Sequence, residues 1–251
     1  MGGEEVLRLP VGETEELACR WLRPATGRPT ILYLHGFGSS QSGEKADFFR
    51  SRAAGEGLGF LSLDFRGHGS SSGDLRGLTL TRCLADVAAA QAWLAAAEID
   101  RVVLMGSSMG GLVGLWHAAL EPGGILAAVY IAPAVGLAED LTGLVGDEGM
   151  RRWEETGAIE FENELGTAEV GWGLFEDLER YPTARLVELH RVPSVLFQGR
   201  LDESVSWRRV ADFAERAGET ARLRLFDDGD HRLLDRRDEI WQAVLDLFHR
   251  T

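Results

Sequence analysis

Gly106-Ser-Ser-Met-Gly110-Gly111 follows the apolar run Val102–Met105 and opens the apolar stretch Leu112–Leu120, which reads as helix. A G-x-S-x-G pattern between strand and helix lifts its central serine above a sheet, with the hydroxyl at a helix N-terminus. That serine is Ser108. Ser107 fails the same test because Met105 and Met109 stand at its flanking offsets. Gly69-Ser-Ser-Ser-Gly73 matches the bare pattern around Ser71, but no strand precedes it and no helix follows at once, so it reads as a loop. A serine hydroxyl attacks a carbonyl only when a base takes its proton and an acid orients that base. On a doubly wound α/β sheet these partners follow in the order serine, acid, histidine. Of the six histidines only His190, His231 and His249 lie well beyond Ser108, and His190 precedes the place where the acid belongs. His231 sits in the acidic loop Phe226-Asp-Asp-Gly-Asp-His231, and His249 lies near the end of an amphipathic helix, so His231 is the candidate base. In Gly199-Arg-Leu-Asp202-Glu the candidate acid is Asp202, with Glu203 facing away; Asp228 and Asp230 are too close to His231 to reach its ring from behind. The developing oxyanion needs donors. The N–H groups of Met109 and of Phe37, in His35-Gly-Phe-Gly38, are the candidates, and Gly36 and Phe37 would line the substrate site.

Strands must carry these loops. Thr30–Leu34, Gly59–Leu63, Arg101–Met105, Leu126–Ile131 and Ser194–Phe197 are short and almost continuously apolar, as strands buried on both faces of a parallel sheet are. Arg222–Phe226 alternates, as an edge strand does, and Val6–Leu9 and Leu17–Leu22 read as antiparallel leading strands. Helices separate them: Leu80, Leu84, Val87 and Leu94 share a face behind the N-cap candidate Thr79, and Ile240, Val244, Leu247 and Phe248 form a second stripe. The predicted fold is α/β, a doubly wound sheet that binds ligands beyond the carboxyl ends of its strands. From Gly136 to Arg191 the rhythm breaks. That stretch is too long for one crossover helix, holds Trp153, Phe161, Trp172 and Phe175, and offers a hairpin from Glu160–Glu164 and Thr167–Val170 around Leu165-Gly166. The expected division is a core in two parts, 1–135 and 192–251, with an inserted cap at 136–191. One irregular crossover with an extra helix is the plainer alternative.

A chain of 251 residues with 45% hydrophobic and 26% charged residues can bury a sufficient core without disulfide or metal. Cys19 and Cys83 have no paired spacing and read as small buried hydrophobes. A net charge of -14 argues against nucleic acid and against anionic membranes as partners. The start lacks a basic segment followed by an apolar run, and no stretch of about 18 apolar residues occurs, which points to a soluble cytoplasmic protein without stable membrane insertion. Lys45 is the only lysine, which reads as a compositional bias toward arginine rather than as mechanism.

Five segments in order, His35-Gly-Phe-Gly38, Asp64-Phe-Arg-Gly-His-Gly-Ser-Ser71, Gly106–Gly110, Gly199–Asp202 and Gly229-Asp-His231, resemble the α/β-hydrolase superfamily over nearly the whole chain. The elbow and the loop at His35 are similar to those of small carboxylesterases, acyl-protein thioesterases, and monoacylglycerol-lipase-like or serine-aminopeptidase-like members. The resemblance implies an eight-stranded, mostly parallel sheet flanked by helices, with a small cap. It also implies that Asp64–Gly69 is a structural loop in which His68 has no catalytic part. The expected chemistry needs no cofactor and no metal: Ser108, His231 and Asp202 cleave a small-molecule acyl ester or thioester through an acyl-enzyme. Phe37 and the short cap point to a small or medium acyl group. An aminopeptidase-type serine peptidase is the alternative, with Glu160, Glu162 and Glu164 as candidates to receive an α-amine. A non-catalytic receptor for a small apolar molecule is the reading from a different class. The acidic residues from Glu139 to Glu188 and around His231 would repel anionic substrates or receive cationic ones.

Overall fold

In the computed structural model, which describes residues 4–163 and 166–248, eight strands form one sheet. They are β1 (Glu4–Val11), β2 (Glu15–Leu22), β3 (Thr30–Leu34), β4 (Gly59–Leu63), β5 (Val102–Ser107), β6 (Ile125–Ile131), β9 (Ser194–Gly199) and β10 (Ala221–Phe226). A separate two-stranded hairpin supplies β7 (Ala158–Asn163) and β8 (Gly166–Gly171). The order across the large sheet is β1-β2-β4-β3-β5-β6-β9-β10. β1 and β2 run antiparallel at one edge, β2 meets β4 antiparallel, and the other pairings are parallel. The strand assignments agree with the apolar runs, the alternating strand lies at the far edge, and the fold is that of an α/β hydrolase.

Period-two alternation sorts the core into two layers. Ile31 and Tyr33 of β3 pack with Phe49 of α1 (Glu44–Gly55) and with Ile240, Trp241 and Val244 of α8 (Arg237–Phe248). Leu32 and Leu34 face the opposite layer. There lie α2 (Leu80–Ala96), α3 (Met109–Leu120) and α7 (Trp207–Ala217). Helix α3 is apolar all round because it is enclosed all round: every residue from Met109 to Ala118 is buried. The Thr79 hydroxyl accepts from the Arg82 N–H and caps α2, but the buried face of that helix is Leu80, Cys83, Asp86, Val87, Ala90 and Leu94. Leu84 is only half-buried, so the stripe is centred on Cys83 and Val87, with a carboxylate inside it.

Asp86 has a partner. It accepts from the Arg66 N–H at 3.0 Å and from its Nε at 2.6 Å, while Arg66 also binds Glu15 at 2.7 Å. The Asp64 carboxylate accepts from the Gln41 N–H at 2.6 Å, the Gln41 amide at 3.0 Å and the Ser70 N–H at 2.9 Å. These two acids fix the loop from Asp64 to Ser71 beneath the carboxyl ends of the strands. Ser71, the decoy, donates to the Asp64 carbonyl at 2.5 Å and belongs to that loop.

Between β6 and β9 the chain forms α4 (Leu137–Thr156), broken at Gly146, then the β7–β8 hairpin, α5 (Gly173–Leu178) and α6 (Thr183–Leu189). Trp153 is fully buried against Phe161, Trp172 and Phe175, and its indole N–H donates to the Val170 carbonyl at 3.0 Å. Arg76 grips Glu169 with two bonds of 2.6 and 2.8 Å, tying the hairpin to the core. The hairpin expected here is present; Glu164, Leu165 and His249 lie outside the described residues.

Candidate active site

The chain leaves β3 for β4 on one side and returns through β5 on the other. The loops after β3 and β5 therefore diverge, opening a crevice beyond their carboxyl ends at a topological switch point. Ser108 stands there, between β5 and α3, with φ 53° and ψ -119°. A non-glycine residue at positive φ stores about 1–3 kcal/mol, and the packed strand and helix on either side hold it in place. Gly110 makes the turn possible, since a Cβ there would collide with the carbonyl oxygens of Leu34 and His35.

The last two strands bring the other groups. Gly199 ends β9 against the backbone of Gly229, an approach that any side chain at 199 would block, and so the Asp202 and His231 loops lie side by side. His231 Nε2 is 3.1 Å from Ser108 Oγ, and His231 Nδ1 is 2.8 Å from Asp202 Oδ2. The Asp202 side chain is fully buried and accepts three further bonds: Gln198 Nε2 at 2.8 Å, the Ser204 N–H at 2.9 Å and the Val205 N–H at 2.8 Å. Burial pushes this carboxyl up, yet the bond and charge of His231, with the Val205 N–H and Gln198, outweigh it and hold Asp202 below the usual carboxylate range. The neighbouring acids are occupied elsewhere. Glu203 is exposed, Asp228 binds Arg236, and Asp230 accepts from the Leu233 N–H.

Met109 is the first residue of α3, so its N–H is one of the first-turn donors that a helix's own carbonyls leave unused. Across from it the loop Gly36–Ser39 closes with the Ser39 N–H on the Gly36 carbonyl at 3.2 Å. Gly36, Phe37, Ser108 and His231 line one cavity of about 340 Å³. His35 is held to the backbone, with Nδ1 donating to the Gly36 carbonyl at 2.7 Å and Nε2 accepting from the Phe65 N–H at 3.1 Å; burial lowers its pKa to about 4. Phe37 stands edge-on between His68 and Phe161 of the hairpin, with ring centres 5.9 and 6.2 Å away.

Residues 31–244 match the family model described as the alpha/beta hydrolase family. The chain belongs to that family. Among its relatives is the mitochondrial palmitoyl-protein thioesterase ABHD10 of Mus musculus, 27% identical over 90% of this chain and 76% of that protein. The solved mouse alpha/beta hydrolase domain-containing protein 10 is similar with TM-score 0.83 at 25% identity, covering 98% of this hydrolase and 99% of the other. Est1E of Butyrivibrio proteoclasticus, solved with ferulic acid, shares the fold with TM-score 0.83 at 18% identity over 97% of this chain and 99% of that one.

Two residues that touch the hydrolase's site were not singled out for it from the sequence. Gln198 is the one amide of β9, just after its apolar run Val195–Phe197, and that polarity close before Asp202 was the available signal. Lys45 donates from Nζ to Ser107 Oγ at 2.8 Å and lines the cavity. Nothing in its spacing marked it. Of the three cap carboxylates considered for an amine, Glu160 is exposed on the hairpin, and the side chains of Glu162 and Glu164 lie outside the described residues.

Proposed function

We propose that this α/β hydrolase cleaves carboxylic esters or thioesters through an acyl-enzyme on Ser108. The reading rests on one observation: the 3.1 Å and 2.8 Å contacts that chain Ser108, His231 and Asp202 together. Ser108 Oγ attacks the carbonyl carbon as its proton passes to His231 Nε2, and Asp202 holds the imidazole in the tautomer that can accept it. The carbonyl oxygen becomes an oxyanion between the N–H groups of Phe37 and Met109. His231 then gives its proton to the leaving alcohol or thiol, and a water activated by the same nitrogen releases the acid. The likeness to a palmitoyl-protein thioesterase favours acyl transfer to water over the other chemistries this fold hosts. In the same reading, the segment 136–191 acts as a cap whose hairpin meets the oxyanion loop at Phe37 and Phe161, and 1–135 with 192–251 make up the core.

Ser108→Ala should lose about 10⁴–10⁶-fold in kcat on p-nitrophenyl esters and acyl thioesters and should no longer react with a fluorophosphonate probe. Near-wild-type turnover by that variant would overturn the assignment. Failure of the intact chain to label would favour a non-catalytic receptor, and faster cleavage of aminoacyl p-nitroanilides would favour a peptidase.

A further inference from the structure

Gln198 is a fully buried amide near the carboxyl end of β9, a strand that lies between β6 and β10. Its Nε2 donates to Asp202 Oδ2 at 2.8 Å and to the Gly199 carbonyl at 3.1 Å, while its Oε1 has no partner among the described residues. A methionine of similar shape would fill the space without a buried carbonyl to satisfy, so what the amide adds here is its pair of donors. Of the two oxygens on Asp202, Gln198 binds the one that His231 uses. Oδ2 accepts from His231 Nδ1 at 2.8 Å, and Oδ1 is held separately by the Ser204 and Val205 N–H groups at 2.9 and 2.8 Å. The Oδ1 bonds anchor the carboxylate without help. The bond from Gln198 therefore acts mainly on Oδ2 itself, drawing off part of the negative charge that faces the imidazole. Burial pushes the Asp202 carboxyl up, and His231, the Val205 N–H and Gln198 together hold it below the usual range.

We propose that Gln198 is a positioning residue for the Asp202–His231 pair: it fixes Oδ2 opposite Nδ1 and sets, through the charge left on that oxygen, the pH at which the base is free to take the Ser108 proton. The inference rests on the serine-hydrolase reading and adds to it a control on working pH. The other charged groups around the pair are engaged elsewhere. Glu203 is exposed, and Asp230 accepts from the Leu233 N–H. The remaining ionisable residues that line the cavity with His231 are Glu44, Lys45 and Arg232. Glu44 is bonded to Arg232 at 3.1 Å and to Arg237 at 2.8 Å, and Lys45 to Ser107 at 2.8 Å. None of these contacts involves Gln198, so a pH profile displaced by its replacement belongs to the amide.

Gln198→Met keeps the volume and deletes both donors. The acid limb of kcat/KM for p-nitrophenyl butyrate reports the base in the free enzyme. It should move to higher pH by about 0.5–1, because a carboxylate oxygen relieved of its second donor holds the imidazolium more firmly. The plateau should stay well above the roughly 10⁴-fold loss that a wrong tautomer brings, since Nδ1 still finds Oδ2. An acid limb that stays in place or moves down overturns the inference, and the amide then only fills the end of the strand. Should Gln198→Met not fold, the wild type decides. The chain has four glutamines, Gln41, Gln91, Gln198 and Gln242, so glutamine-selective ¹⁵N labelling isolates the side-chain amide. The Gln198 NH₂ signals should shift as the His231 ring takes up its proton, and signals that hold still through that titration overturn the inference as well. A chain that neither labels with fluorophosphonate nor cleaves any ester sinks the hydrolase reading, and the amide titration still shows whether Gln198 answers to the Asp202–His231 pair.

Discussion

Replacing Asp202 by asparagine tests the reasoning about the site more sharply than removing the nucleophile does. The carboxylate accepts four bonds, two at each oxygen: Ser204 and Val205 N–H groups on Oδ1, and His231 Nδ1 with Gln198 Nε2 on Oδ2. An amide keeps the first pair by placing its oxygen there. It must then point its NH₂ at two groups that are themselves donors. Gln198 can relieve its half only by turning over, which brings round an Oε1 that has no partner among the described residues but gives up the bond from Nε2 to the Gly199 carbonyl. His231 can relieve the other half only by moving its proton to Nε2, and in that tautomer it donates to Ser108 Oγ and cannot accept from it. The shape survives and the base is lost. A wrong tautomer in a serine–histidine–acid site costs about 10⁴-fold in kcat, or about 5.5 kcal/mol. The folding penalty is about 1–3 kcal/mol for a donor left unmatched, which a stable domain tolerates. Steady-state hydrolysis of p-nitrophenyl butyrate, thermal melting and the imidazole ¹⁵N spectrum of His231 together check this. An Asp202→Asn enzyme that melts like the wild type and keeps kcat within tenfold would refute the tautomer argument and the role given to Asp202.

Two stability predictions concern buried groups. Asp86→Asn strips Arg66 of its buried counter-charge and leaves its guanidinium only the partly exposed Glu15. It should cost about 3–5 kcal/mol in urea unfolding, and Asp86→Asn combined with Arg66→Met should recover part of that loss. His35, His68 and His117 are buried as neutral imidazoles, with burial lowering their pKa values to about 4, 3 and 4. Above an unfolded value of about 6.5 neither state binds these protons; as pH falls toward 4 only the unfolded chain takes them up, so stability falls. For His35 and His117 the loss is on the order of 3 kcal/mol each by pH 4. Urea midpoints that stay level from pH 7 to 4.5 would show that these rings are protonated in the fold.

How much of this was legible depends on where each residue's constraint lies. The elbow is local: a strand, two glycines and a helix within a dozen residues leave only Ser108 at the apex, and the sequence says so directly. Asp202 and His231 are readable because the order of strands fixes which loops reach the nucleophile, and Gly199 and Gly229 mark the ends where those loops must touch. The hairpin at 158–171 was visible as two alternating runs, and Trp153, Phe161, Trp172 and Phe175 as an aromatic set. Their joint packing, and the grip of Arg76 on Glu169 some ninety residues away, follow from tertiary contact alone. Asp86 broke an apolar stripe and could have been taken as a warning that a buried cation was waiting for it. Lys45 gave no warning at all. Its place comes from the first turn of α1 reaching Ser107 at the end of β5, a contact between residues 62 apart that no local pattern encodes.

The separation between Ser108 and His231, 123 residues along the chain, also bears on when the protein becomes an enzyme. Six of the eight sheet strands are complete by Ile131, with Ser108 already on its turn, but β9 and β10 close the far edge and lead into the loops of Asp202 and His231, the two partners proposed for it. Long-range pairings of this kind form late, because loop closure has to be met before contacts reward it. On the proposed mechanism the serine is thus placed first while it is chemically silent, and the segment from β9 onward arms it. Turnover by Ser108 would then certify completed folding: a molecule whose β9–β10 edge has frayed would hold an inert hydroxyl rather than a stray hydrolase.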